Sequence, residues 1–395
     1  MKVRYRFRFY PTIPQQRDLA RTFGACRYVY NFALRLRSDS YKAGKTINYN
    51  ASSAALTTLK KEPDHAWLNE VSCVPTQQAL RHLQTAFRNF FEKRSAYPTF
   101  KRKHGKQAAE YTRSAFKWDA KIKTLTIAKI GVLKVRWSRE FQSDPTTVTI
   151  TKDTAGRYFV TLCLDETFKH WPKTGKVVGI DLGINRLATL SNGERIPNLR
   201  HGECLQKNLA RAQRVMARRK KGSGRRERAR LRVAKIYARI ADSRIGYLNK
   251  VTTDLVHRFD TVCMEDLNIR GMVRNHCLAR SISDAALGTF VRMVEYKCDR
   301  YGKELKKIDR WYPSSKRCSI CGHIVERLPL SVREWDCPEC KAHHDRDKNA
   351  AVNILTAGHA VTGRGGSVSR KAGKPAKRST RRSVNQPVSR VQHGS

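Results

Sequence analysis

Four cysteines and three carboxylates in the second half of the chain have the residue types and spacing of metal ligands. The cysteines form two C-x-x-C pairs separated by fifteen residues: Cys318, Cys321, Cys337 and Cys340. Two such pairs are the ligand set of a structural zinc ribbon, in which four thiolates hold Zn²⁺ tetrahedrally. Because the thiolates already complete this set, we expect no ligand role for His323, His343 and His344. The ribbon could staple the fold or also contact nucleic acid, and the sequence leaves both open.

The three carboxylates each stand at the end of a predicted element. Asp181 follows a buried strand at 177–180, Glu265 follows another at 260–264, and Asp347 begins a helix seven residues after the last cysteine. A single acid at a strand end is most often a cap or turn residue. The ends of strands are also where α/β sheets place ligands, so the three side chains could converge. Three converging carboxylates suit two hard divalent cations, which activate water in phosphodiester hydrolysis.

The charge of the chain indicates a polyanionic partner. Its 395 residues include 80 Lys and Arg against 33 Asp and Glu, a formal net charge of +47. Basic residues are spread along the whole chain, which favours extensive contact with phosphates. An anionic membrane is the competing partner, but no run of 18 apolar residues is present. The seven remaining cysteines are scattered singly and the N-terminus lacks an apolar block, so we expect a cytoplasmic, nucleoid-associated prokaryotic protein without membrane contact.

The N-terminal half is predicted to combine a sheet with a helical block. Residues 2–9 alternate basic and apolar side chains, as in a half-buried strand. Thr12, Pro14 and Gln15 then have the pattern of a capped helix start, and helices should continue to about residue 94. Later, 147–152 and 157–164 predict a hairpin that the first strand could join. We therefore expect a small β-barrel from 1–10 and 105–170, with a helical lobe at 11–104 inserted in it.

The second half is predicted to be an α/β domain. Strands are expected at 177–180, 187–190, 260–264 and 305–308, and a single helical segment at 283–302. Two long helices should cover 205–259, joined by a basic hairpin tip at 218–230. The second helix has an apolar seam at alternating spacings of three and four: Leu231, Ala234, Ala238, Ala241, Ile245, Leu248, Thr252 and Leu255. The basic, apolar-poor tail at 361–395 is expected to be disordered.

Several segments of the chain resemble the TnpB family of insertion-sequence RNA-guided DNA endonucleases, which are relatives of the type V CRISPR effectors. The segments are GIDLGIN, MEDLNIRGM, SISDAALGTF and YPSSKRCSICG…WDCPEC…HDRDKNAAVNI. The resemblance implies a multidomain α/β protein with a RuvC/RNase H-like nuclease domain at 176–312, a zinc ribbon inserted at 313–344 and a final nuclease helix at 345–360. It also implies that two Mg²⁺ ions are held by the catalytic residues Asp181, Glu265 and Asp347. The family's third acid stands two residues before the Asn of DRDKNAA, so Asp347 is chosen and Asp345 is expected to be a helix cap or a neighbour of the site.

The resemblance also implies partners. In the family, the N-terminal barrel and helical lobe hold a guide RNA and read a short motif beside the DNA target. Tyr49 and Gln77 lie in segments that resemble the motif-reading region, and Gln suits contact with adenine. Basic residues at the hairpin tip suit phosphate contact with a duplex: Arg218, Arg219, Lys220, Lys221, Arg225 and Arg226. The segment after Glu265 resembles a lid over the nuclease site, and we expect a monomer in the RNA complex.

These observations predict an RNA-guided DNA endonuclease of a transposable element. Two alternatives remain open at this point. The protein could occupy DNA under RNA guidance without cutting it, as a repressor, although all three acids are present. It could instead be a transposase that joins DNA ends, because carboxylate triads on RNase H-like folds also catalyse strand transfer. A plain zinc-ribbon transcription factor would leave Asp181 and Glu265 unexplained.

Overall fold

A computed structural model of the chain describes residues 1–363. The predicted tail beyond residue 363 lies outside the described residues. In the N-terminal half the elements are β1 (Lys2–Phe9), α1 (Ile13–Lys42), α2 (Tyr49–Leu59), a 3-10 segment (Pro63–Asn69), α3 (Cys73–Phe91), β2 (Gln107–Thr112), a 3-10 turn (Arg113–Ala115), β3 (Phe116–Asp119), β4 (Thr124–Ile127), β5 (Gly131–Leu133), β6 (Val135–Arg136), β7 (Thr147–Lys152) and β8 (Tyr158–Asp165).

The first strand joins the predicted hairpin, as its alternation suggested. β1 pairs antiparallel with β8 along its whole length, from Lys2 opposite Asp165 to Phe9 opposite Tyr158. The five-stranded sheet has the order β2-β7-β8-β1-β6, and β3, β4 and β5 form a second, three-stranded sheet. β1 and β2 belong to one sheet, and the helices lie between them in the chain. The sheet has β2 and β6 as its edge strands, so closure into a barrel stays a prediction.

The helical block begins with the predicted cap. The Thr12 hydroxyl accepts a hydrogen bond from Gln15 N, and the Gln15 side chain accepts one from Thr12 N, which closes a capping box at the start of α1. Helix α1 runs for 30 residues and packs against α3. Helix α3 buries an apolar stripe on Leu80, Leu83 and Phe87, whose spacing of three and four residues puts them on one face.

The second half contains a mixed sheet and long helices. Its elements are β9 (Val177–Leu182), β10 (Arg186–Leu190), β11 (Arg195–Pro197), α4 (His201–Cys204), α5 (Gln206–Ala217), α6 (Gly224–Arg258), β12 (Thr261–Glu265), α7 (Ile269–Met272), α8 (Ala279–Ala285), α9 (Leu287–Tyr301), β13 (Glu304–Ile308), β14 (Glu334–Asp336), β15 (His343–Asp345) and α10 (Arg346–Gly363). The predicted strands are present. Strand β11 is additional, and the single helix expected at 283–302 is broken at Ala286, whose φ is +54°.

The sheet has the strand order β11-β10-β9-β12-β13. Strand β12 runs parallel to both β9 and β13, whereas β10 runs antiparallel to β9. The face that carries Val178, Ile180 and Met264 is buried in a core with residues of α6 and α9. The opposite face of β9 and β12 is covered by α10. Because parallel strands buried on both faces need a helix on each side, the last helix completes this fold.

The predicted seam of α6 is wrong at two positions. Ala241 and Ile245 are exposed, Ile245 by 46%, whereas Val233 and Ile240 are buried. Helix α6 is 35 residues long and changes partners, packing on α5 in its first part and on α9 in its last part. Since a straight helix drifts by about 20° per heptad, one strict stripe could not face both partners. Within residues 1–363 no helix is long and apolar enough to span a membrane.

Candidate functional site

The pairing register of two strands brings the first two carboxylates together. Strands β9 and β12 are parallel, and their last recorded pair is Ile180 opposite Met264. Asp181 and Glu265 follow that pair in step, on strands that lie about 4.8 Å apart. Since side chains alternate along a strand, both acids belong to the face that α10 covers.

The third carboxylate arrives on the helix that packs on this face. Asp347 is in the first turn of α10. The helix backbone lies directly on β9 at Gly179, where an added Cβ would stand 2.1 Å from Ala351 O and 2.7 Å from Leu355 N. Only glycine allows this approach two residues before Asp181. Asp345 accepts a hydrogen bond from Lys348 N at 2.8 Å, which is the predicted capping contact of α10.

The three acids form one electrostatic cluster. Burial, followed by the nearby charges of Glu265 and Asp347, raises the pKa of Asp181 to about 7. Burial also raises the pKa of Glu265, although a hydrogen bond from the Ser314 hydroxyl, 2.5 Å from Glu265 Oε1, favours its charged form. The cluster therefore repels itself and would be stabilised by a cation. Carboxylate oxygens are the donors that Mg²⁺ prefers, so these residues fit that ion.

A cavity of about 690 Å³ opens onto Asp181 and Asp347. Two basic side chains approach Asp347 from its wall: Arg186 Nη1 lies 3.9 Å from Asp347 Oδ2, and Arg333 Nη1 lies 3.7 Å from Asp347 Oδ1. The segment after Glu265 contributes Met272, Leu278, Arg280 and Ser281 to the lining. The segment resembling a lid thus borders the carboxylates, and the cavity gives them access to a ligand from solvent.

Helix α8, at the end of this segment, is tied down by an acid that sequence reasoning did not single out. The Asp284 carboxylate accepts hydrogen bonds from Gly202 N and from Arg244 Nη2, at 2.9 and 2.5 Å. Its side chain is 13% exposed and also lines the cavity. Because its oxygens are engaged by donors from α4 and α6, Asp284 holds the wall of the cavity in place. The sequence offered a hint in the segment SISDAALGTF, but not the partners.

The four cysteines gather as their spacing predicted. The sulfur atoms of Cys318, Cys321, Cys337 and Cys340 all lie within 4.8 Å of one another, and among the described residues no other group of three or more His, Cys, Asp or Glu is gathered as tightly. Burial opposes ionisation of Cys318, but hydrogen bonds from the backbone N–H groups of Cys321 and Ile320, together with those from the Cys321 and Cys340 thiols, lower its pKa to about 7. A thiolate set of this kind fits tetrahedral Zn²⁺.

One of the three neighbouring histidines contacts the cysteine cluster, but as a hydrogen-bond partner of a sulfur atom and not as a further ligand. His344 Nε2 lies 3.0 Å from Cys318 Sγ, and the imidazole is buried against Trp335. A ring nitrogen at that distance suits an N–H donor to a ligand sulfur, which is a common way to orient a metal ligand. His343 instead faces solvent and contacts Asp336 at 2.8 Å.

Buried asparagines connect the ribbon to the carboxylates. Asn349 Oδ1 accepts a hydrogen bond from Ser319 N at 2.9 Å, and Asn349 Nδ2 donates to Arg317 O at 2.7 Å. Asn353 Nδ2 donates to Ser314 O at 2.9 Å and to Arg317 O at 2.6 Å. These backbone groups flank Cys318, and Ser314 also binds Glu265. The ribbon base, α10 and one site carboxylate are therefore a single hydrogen-bonded unit, which spacing alone could not reveal.

The predicted nucleic-acid contacts lie on other parts of the chain. Tyr49 is the first residue of α2 and half-buried, with the Arg81 guanidinium 5.8 Å from its ring centroid. Gln77 is exposed on α3. At the hairpin tip between α5 and α6 five predicted residues are exposed: Arg218, Arg219, Lys220, Lys221 and Arg225. Arg226 differs, because its Nη1 donates to Met216 O and Arg219 O at 2.8 and 2.9 Å and so closes the end of α5.

Three family descriptions match parts of the chain. Residues 149–276 match the OrfB_IS605 family, described as "Probable transposase", and residues 288–354 match the Cas12f1-like TNB domain. The first match contains Asp181 and Glu265, and the second contains the four cysteines and Asp347. Residues 1–46 match a domain described as helix-turn-helix. In the structure this stretch is strand β1 followed by the single helix α1.

Whole-chain similarity extends further than these segments. A Streptomyces pristinaespiralis protein named "Putative RNA-guided DNA endonuclease" is 49% identical over all of this chain and 98% of its own length. The Escherichia coli K12 protein "Putative RNA-guided DNA endonuclease InsQ" is 30% identical over 94% of this chain and 96% of its own. A solved Cas12f1–sgRNA–target DNA complex shares the fold, with a TM-score of 0.54 and 14% identity over 88% of this chain and 83% of the other. The chain belongs to the TnpB-like family that includes these two bacterial relatives.

Proposed function

We propose that this protein is an RNA-guided DNA endonuclease of an insertion sequence, with Asp181, Glu265 and Asp347 as its catalytic residues. The observation that carries the proposal is the electrostatic coupling of three acids from β9, β12 and α10: Glu265 and Asp347 raise the pKa of Asp181, and Asp181 and Asp347 line an open cavity. Two relatives that match nearly the whole chain bear the name of this activity. The mixed sheet with acids on adjacent strands supports a RuvC/RNase H-like nuclease domain at 176–312, completed by the helix at 345–360.

The three carboxylates are the residues that would hold two Mg²⁺ ions. When bound, such ions neutralise developing charge and lower the pKa of a water that attacks the phosphodiester. The protein's own contribution is to place and orient the acids. Ser314 orients Glu265 through its 2.5 Å hydrogen bond, and Asn353 holds the backbone of Ser314 in turn. Arg186 and Arg333 beside Asp347 add positive charge where a phosphate would enter.

Guide RNA and duplex DNA are the partners that fit the rest of the surface. The net charge of +47 matches long phosphate backbones, and the exposed tip from Arg218 to Arg225 offers a compact part of that charge. Pairing with the guide would carry sequence specificity, while the protein reads a short flanking motif. For that motif we propose Gln77, exposed on α3, and Tyr49 beside Arg81. The domain at 1–10 and 105–170, the helical lobe at 11–104 and a monomeric RNA complex are part of the proposal.

The test begins with the RNA that accompanies the purified protein. Sequencing should find a defined RNA that ends in a variable segment, and the complex should cut only duplex DNA that matches this segment, in the presence of Mg²⁺. A random RNA population would contradict guidance. Bound but uncut matched DNA would favour a repressor, and strand-transfer products formed without RNA would favour a transposase.

A further inference from the structure

A cavity of about 890 Å³ opens in the N-terminal half, far along the chain from the carboxylates. It is lined from both N-terminal sheets and from the loops that follow β6 and β8. Five aromatic side chains surround it: Tyr5, Trp118, Trp137, Phe141 and Phe168. Trp118 contacts Trp137 and Phe141, each with 5.2 Å between ring centroids. We call this space the aromatic cavity.

The rings of the aromatic cavity are not a closed core. Phe7 and Phe9, which follow the cavity residue Tyr5 on strand β1, are 1% and 0% exposed, as core aromatics are. Trp118, Trp137 and Phe168 are only half-buried, although each packs against that core. Their free faces therefore border the open volume. Exposed aromatic surface around a cavity of this size favours a flat, apolar occupant.

Basic groups stand over and around these rings. The Arg139 guanidinium lies 5.2 Å from the Tyr5 ring centroid, and Arg300, contributed by α9, lies 4.3 Å from that of Phe168. Lys169 adds a further positive charge to the lining. A negative charge next to the flat group would be attracted to this rim.

The acidic lining residues are already engaged by protein groups. Glu140 pairs with Lys123 at 3.0 Å. Glu166 is 7% exposed and accepts hydrogen bonds from Gln142 N, Ser143 N and the Ser143 hydroxyl. The Trp137 indole N–H is engaged as well, because it donates to Lys123 O at 2.9 Å. The cavity thus combines stacking faces with positive charge, while its two acids are engaged by protein groups.

We propose that the aromatic cavity receives an unstacked nucleotide of the guide RNA, with its base against the tryptophans and its phosphate toward the arginines. Single-stranded RNA is commonly bound by splaying out bases onto aromatic side chains and guanidinium planes. Because every base has a flat π-face, stacking on these rings would accept any base. This inference rests on the proposed function, since it assigns one contact of the same guide RNA.

The test is ultraviolet crosslinking of the wild-type protein to its co-purified RNA, followed by nuclease digestion and mass spectrometry. Nucleotides are expected on peptides that contain Trp118, Trp137 or Phe141. Trp118→Leu should weaken RNA binding by about 5- to 150-fold, the range for one lost base stack, and Trp118→Phe should restore most of it. Trp171→Leu is the matched control, because Trp171 stacks on Tyr301 outside the cavity at 3.7 Å; its RNA affinity should stay near wild type.

The contrary results are distinct. RNA that binds Trp118→Leu as tightly as the wild type, with no crosslink to cavity peptides, would overturn the aromatic-cavity proposal alone. A peptide or a small aromatic molecule recovered from the cavity would do the same. Wild-type protein that holds no defined RNA would overturn the proposed function together with this inference.

Discussion

Replacing Asp181 by asparagine should stabilise the magnesium-free protein while destroying its proposed activity. Burial, Glu265 and Asp347 raise the pKa of Asp181 to about 7 from an ordinary value of 3.8. Between these two pH values the folded protein holds a proton that the unfolded chain has lost. Stability should therefore rise as the pH falls through about 7, and above pH 7 the folded state carries a repelled carboxylate. Asparagine has nearly the same shape and no charge, so it removes that repulsion.

The size of the effect follows from the two pKa values. Their difference corresponds to about 4 kcal/mol at ~1.36 kcal/mol per pKa unit. Part of the charge is screened, because the carboxyl borders an open cavity, so we expect Asp181→Asn to gain about 2–3 kcal/mol at pH 8. The difference should shrink as the pH falls from 7 toward 3.8, where the unfolded chain also binds the proton, so that somewhat less than half of it should remain at pH 5.

The assay is urea unfolding at pH 8, 6 and 5 in magnesium-free buffer that leaves zinc in place. Asp144→Asn, an exposed acid on a loop, is the control and should match the wild type at each pH. Added Mg²⁺ should stabilise the wild type and Asp144→Asn more than Asp181→Asn, because binding to the ionised cluster offsets its repulsion. A variant no more stable than the wild type at pH 8 without Mg²⁺ would refute the reasoning.

Three further predictions concern the packing around the site. Gly179→Ala should lower the free energy of unfolding by about 1–3 kcal/mol and reduce DNA cutting, because the added Cβ would meet the α10 backbone. The control Gly246→Ala, in α6 with nothing within 4 Å, should raise it by about 0.5–1 kcal/mol, and equal denaturation midpoints for the two variants would contradict this. Cys337→Ser should lower both the zinc content and the cutting rate, whereas Cys73→Ser, at an exposed cysteine outside the cluster, should change neither. Full cutting by zinc-free protein would show that the ribbon does not position the site. Asn353→Ala should lower the free energy of unfolding by about 1–3 kcal/mol by leaving Ser314 O unpaired, and should slow cutting because Ser314 is then less well held against Glu265. Unchanged stability and cutting rate would show that Asn353 does not support Glu265 through Ser314.

Local patterns predicted much of this molecule because their causes are local. The alternation in residues 2–9 and the capping box at Thr12 depend on neighbouring residues, and both are present as expected. The cysteine spacing predicted the cluster of four sulfur atoms because this spacing is the one that a tetrahedral zinc site requires. The carboxylates of the proposed site were predicted from strand ends and family motifs together, whereas either one alone would have been ambiguous.

The features that sequence reasoning missed depend on tertiary partners. Asn349 and Asn353 look like ordinary helix residues until the ribbon backbone beside Cys318 is packed against them. Gly179 is required only because α10 crosses β9 at that residue. Ile245 belongs to an apolar seam in the sequence, but α6 exchanges α5 for α9 along its length and leaves that side chain exposed. In each case a distant element decides the role of the residue.

The most direct test of the central claim compares two adjacent acids in cleavage of guide-matched DNA with Mg²⁺. Asp347→Asn removes a proposed catalytic carboxylate, whereas Asp345→Asn keeps a side chain able to cap α10 through Lys348 N. We predict that Asp347→Asn loses about 10³-fold or more in cleavage rate, corresponding to about 4 kcal/mol, while it still binds the matched DNA, and that Asp345→Asn cuts within about tenfold of the wild type. Equal cutting by Asp347→Asn and the wild type would contradict the account.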